Sequence, residues 1–94
     1  MSDGQRDKQF WDLADSFIQL ANTHLDKAKP SRVSASALFA AARFNAFVIT
    51  AATESKAQLI AEKEAAIAYF MQQYEAMLRE NLDEHLSHYD QHTS

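Results

Sequence analysis

The stretch SASALFAAARFNAFVITAA, Ser34 to Ala52, constrains this chain most. On a helical wheel its alanines, Leu38, Phe39, Phe44, Phe47, Val48 and Ile49 point in nearly every direction. A helix that is apolar all round is buried by other helices or by a bilayer. Arg43 and Asn45 sit at its centre. Charge at mid-membrane is costly and rare, so the pattern predicts the inner helix of a small soluble bundle.

The remaining sequence supports helices and no sheet. One Gly and one Pro in 94 residues leave too few turn residues for a multi-stranded architecture. This length predicts a single domain, residues 1–94, that buries about two-thirds of its unfolded surface around one core. The absence of cysteine excludes disulfides, thiolate metal sites and cysteine nucleophiles. The net charge of −4 works against a nucleic-acid partner. The opening MSDGQRDKQ has no apolar core of a signal peptide, so a cytoplasmic location is expected.

Residues 1–6 read as a flexible tail. Asp7 is placed to cap a first helix over about 7–28, with Phe10, Leu13, Ala14, Phe17, Ile18, Leu20, Ala21 and Leu25 on one half of its wheel. Pro30 is expected to stop this helix. Ser34 as N-cap, with Val33 and Leu38 at the spacing of a hydrophobic staple, predicts a second helix over 34–52. Thr53-Glu54-Ser55 is a polar break. Ser55 and Gln58 have the S-x-x-Q spacing of a capping box, which starts a third helix over about 55–90.

The expected fold is therefore all-α, a three-helix up-down bundle with a long C-terminal helix. The third helix is too long for the other two and should project past them unless it breaks near Arg79 to Leu82. Its far end carries Leu78, Leu82, Leu86 and Tyr89 on a common side. An exposed apolar strip of that kind marks an interaction surface.

The polar residues supply few candidates for chemistry. His85, His88 and His92 lie on one narrow stripe of the third helix, at a spacing that suits a shared zinc, nickel or copper ion. The competing reading is a polar helix end or a subunit contact. Arg43 either pairs with an acid such as Asp12, Asp15 or Glu62, or reaches water, or grips an anionic ligand with Asn45 nearby. Asn45 also suits a register-fixing role between helices. His24 suits the end of the first helix, and Glu75 with Arg79 form an i, i+4 pair on a solvated face. There is no Gly-rich phosphate loop, no G-x-S-x-G and no H-E-x-x-H, so no catalytic residue is assigned and no cofactor is implied.

Three blocks, FWDLADSFIQLAN, VSASALFAAARFNAFV and YFMQQYEAMLRENLDEH, together resemble a proteobacterial family of short all-helical proteins recorded as a domain of unknown function. The resemblance spans Gln9 to Tyr89 and is most specific in the ARFNAF core. It implies a helical fold and a bacterial cytoplasmic setting, and it carries over no site residue. The functional expectation is a non-catalytic, uncharacterised protein that self-associates through its third helix. The alternative is a small-ligand or metal-binding protein using Arg43 and Asn45 or the histidine stripe. The expected partner is a second copy or another protein, with no nucleic acid and no membrane.

Overall fold

The computed structural model describes residues 6–93, with side chains as far as Tyr89. Three helices follow in order: α1 (Lys8–His24), α2 (Pro30–Ala52) and α3 (Lys56–Thr93). No strand occurs among the described residues. The chain is all-α, and its third helix is long, as the uninterrupted sequence after Ser55 predicts. At 1.5 Å per residue the 38 residues of α3 span roughly 57 Å. No break occurs near Arg79 to Leu82.

Local chemistry explains each helix start. Asp7 accepts a hydrogen bond from the Phe10 N–H at 2.9 Å, the expected N-cap of α1. Arg6, placed in the expected tail, lays its guanidinium over the rings of Phe10 and Trp11 at 5.8 and 5.5 Å. The rest of that tail lies outside the described residues. At α3, Ser55 Oγ accepts from the Gln58 N–H at 3.1 Å, and Gln58 Oε1 accepts from the Glu54 N–H at 2.7 Å. The capping-box spacing thus produces reciprocal caps, with the glutamine reaching one residue further back than the motif's usual target.

Two boundaries differ from expectation. The first helix ends at His24 rather than near residue 28. Beyond it the bonds shorten to three-residue spacing, from Leu25 N–H to Asn22 O, Asp26 to Thr23 and Lys27 to His24, which tightens the chain into a turn. The second helix begins at Pro30, not after Ser34. Arg32 and Val33 both donate to Lys29 O, so Lys29 is the capping residue and Pro30 the first helical position. A proline there loses nothing, because its missing N–H would be unpaired anyway and its fixed φ suits a helix. Ser34 is therefore a helix-interior residue and the staple does not form.

The chain divides into two compact units, Met1–Phe47 and Val48–Ser94, with the division inside α2. In the first, Phe10, Ala14 and Ala21 form the half-buried line of α1, and Val33 and Asn45 are half-buried on α2. In the second, Ile49 and Thr53 are half-buried near the end of α2, as are Leu59, Ala66 and Phe70 along α3.

Burial departs most from expectation. No described residue is buried, apolar or polar. The chain exposes 8720 Å². A folded monomer of its mass exposes about 5,500 Å², and its unfolded chain about 15,000 Å². One chain thus buries roughly two-fifths of its unfolded surface, where about two-thirds is usual. On α2, Leu38, Phe39, Phe44, Phe47 and Val48 are all exposed. Local signals set where each helix starts and stops.

Candidate interaction surface

The long α3 has two apolar sides. Leu59, Ala66 and Phe70 fall on one line of the wheel, and these are its half-buried residues. Ile60, Ile67, Met71, Tyr74, Leu78, Leu82 and Tyr89 fall on a second line, about a quarter-turn away at 100° per residue. Every residue of this second line is exposed. Steps of three and four residues alternate so as to return after eleven, 67 to 78 to 89, which keeps the strip nearly straight along the helix. Leu86 stands at its edge, 68% exposed, beside Leu82 at 53% and Tyr89 at 63%. The strip expected from Leu78, Leu82, Leu86 and Tyr89 is therefore exposed, and it reaches back toward the start of α3. Its backward extension is legible in the eleven-residue return of apolar positions.

Polar groups on α3 are engaged locally. Arg79 donates to Glu75 Oε2 at 2.8 Å, the expected i, i+4 pair, and both side chains are largely in water. Such a pair stabilises a helix by only about 0.3–0.5 kcal/mol. Asn81 Nδ2 donates to Met77 O at 2.8 Å, which turns the amide along the helix. A shallow open recess lined by Gln72, Glu75, Ala76, Arg79, Glu80 and Asp83 lies on a different side from the apolar strip. Its mixed charges and openness give a ligand little to grip.

The histidines divide. His85 falls within the line of the apolar strip, and both His85 and His88 are exposed. His88 Nδ1 lies 3.2 Å from Ser87 Oγ. The His92 side chain lies outside the described residues. Among the described residues no group of three or more His, Asp or Glu is gathered to hold a metal ion.

Arg43 is exposed, and its guanidinium stacks over the Phe39 ring at 5.4 Å. Its side chain reaches water. Among the described residues it forms no ion pair. The spacing of Phe39 and Arg43, one helical turn, could have revealed this cation–π contact. Asn45 is half-buried on the same side as Ile49, one turn apart. By length and composition α2 also qualifies as a helix able to cross a membrane, with Arg43 and Asn45 inside the apolar stretch.

The model of a family described as "Protein of unknown function (DUF3144)" matches residues 10–86, most of the chain. The chain belongs to this family. The DUF3144 match runs from the start of α1 through Leu82 and Leu86, so it includes most of the exposed strip. No curated protein matches the chain. A Shewanella sp. protein solved by NMR is 29% identical, with a TM-score of 0.80 over 95% of this chain and 96% of that one. Its source agrees with the proteobacterial resemblance read from sequence. The match to the Shewanella structure agrees with the all-helical fold, and the DUF3144 assignment brings no activity, ligand or partner with it.

Proposed function

We propose that this protein is a non-catalytic, cytoplasmic interaction protein that self-associates through the exposed apolar strip of α3. One observation carries the reading: no described residue is buried, although nearly half the residues are hydrophobic. Relative to a folded monomer, each chain holds an excess of about 3,200 Å² of exposed surface. Obligate homodimers bury roughly 2,000–5,000 Å² or more between partners, so an excess of this size suits a permanent contact. The strip has the form such a contact needs, straight, apolar and several turns long. Among the polar candidates, Arg43 and His88 are exposed and each has a neighbour on its own helix, Phe39 and Ser87.

The test is solution mass by light scattering on a sizing column, for wild type and for Leu82→Glu with Leu86→Glu. Wild type should elute as a dimer or larger, and the double variant should dissociate. A double variant with unchanged mass would remove the α3 strip as the interface.

A further inference from the structure

We infer that α2 is a second docking surface for another copy of this chain, and that the helices fold only as that copy encloses them. This rests on the self-association proposed above and extends it from a contact between folded monomers to a shared core.

The argument starts with area. The eight side chains of the α3 strip, Leu86 included, could remove on the order of 1,200 Å² from water, taking for each about 150 Å², the low figure for an aromatic ring. That leaves most of each chain's excess elsewhere. The densest remaining apolar surface is α2, where Phe39, Phe44 and Phe47 are 63–65% exposed. Those rings, with Leu38 and Val48, point in different directions around the helix, and only the narrow line of Arg32, Ser36, Arg43 and Thr50 suits water. A helix of that kind is an inner element. Its exposed rings form an apolar surface of the kind that a docked partner covers.

The occupant is identified by the same accounting. A second copy carries a matching excess, and the two together fall in the range of obligate, core-like interfaces. Such interfaces resemble a domain core cut in half, and their subunits often have no stable folded monomer. A bilayer would cover α2 as well, but it would have to hold Arg43 mid-helix without an acid partner, which is costly. Asn45, half-buried beside Ile49, suits a helix–helix seam in which one polar residue selects the register.

The experiment follows helicity by far-UV circular dichroism and mass by sedimentation equilibrium along one dilution series of wild type. Helicity and mass should fall together over the same decade of concentration, and the thermal midpoint should rise with concentration. Phe44→Glu with Phe47→Glu should give a largely unfolded monomer at every concentration. If wild-type mass falls while helicity holds, the inference fails and self-association stands. If wild type is a fully helical monomer throughout, both fail. If the Phe44→Glu, Phe47→Glu variant keeps wild-type helicity and mass, α2 is not the docking surface. Helicity that appears only on adding phosphatidylcholine vesicles would overturn the second copy in favour of a bilayer.

Discussion

Ser55 and Gln58 cap the start of α3 together: the serine hydroxyl oxygen accepts from the Gln58 N–H, while the glutamine carbonyl oxygen accepts from the Glu54 N–H. Two otherwise unpaired backbone donors are satisfied at the point where the chain leaves α2. Without these caps nothing in the sequence would separate two helices rich in alanine, because no Gly or Pro lies between Val33 and Thr93. The pair is therefore a boundary device as well as a stabilising one.

Ser55→Ala should lower stability by about 1 kcal/mol, the usual cost of losing a serine N-cap. Urea denaturation at fixed protein concentration measures it. Ser55→Asp should restore most of the loss, since aspartate accepts the same hydrogen bond and suits the positive end of the helix dipole. An alanine variant as stable as wild type would mean that the break at Thr53–Ser55 is held by packing instead.

Pro30 yields a contrasting pair. At the first turn of α2, Pro30→Ala should change stability by no more than about 0.5 kcal/mol, because no hydrogen bond is gained or lost there. The same ring placed inside the helix, as Ala40→Pro, should cost about 3 kcal/mol or more through a lost bond and a clash with the preceding turn. Thermal unfolding of both variants measures the contrast between a proline in the first turn and one in the helix interior.

These two helix starts show what was legible in the sequence and what was not. Asp7 and the Ser55–Gln58 pair act through side chains at fixed offsets, so spacing alone locates them. Pro30 is ambiguous by chemistry: the same residue that ends one helix opens another, and only the bonds from Arg32 and Val33 to Lys29 decide between them. The strip on α3 was legible because periodicity fixes which residues share a side. Burial was not legible. An all-apolar α2 predicts enclosure, but sequence does not say whether the enclosing helices belong to the same chain. Arg43 shows the same limit, since its spacing to Phe39 is local while an acid partner would be tertiary.

The charged side of α3 provides a control for the proposed interface. Glu75→Ala with Arg79→Ala removes an exposed i, i+4 pair, so stability should fall by less than about 0.5 kcal/mol and solution mass should not change. Leu82→Glu with Leu86→Glu, on the apolar strip of the same helix, should abolish the oligomer. A charged-side variant that dissociates while the leucine variant does not would move the interface to the recess around Glu75 and Arg79.

The histidines allow a last separation. His85 lies on the strip, and His88 sits on its flank with Ser87 beside it. If apolar contact drives association, a chelator such as EDTA should leave the solution mass unchanged, and His88→Ala should do the same. His85→Ala should weaken the oligomer only modestly, because alanine remains compatible with an apolar seam while losing packing area. If instead a bridging metal holds the copies together, chelation and either alanine substitution should each dissociate them, and added zinc should raise the thermal midpoint of wild type alone. Light scattering with and without chelator, on wild type and both single variants, distinguishes the two patterns. Dissociation by chelator in wild type would shift the interface from the leucines to the histidine stripe.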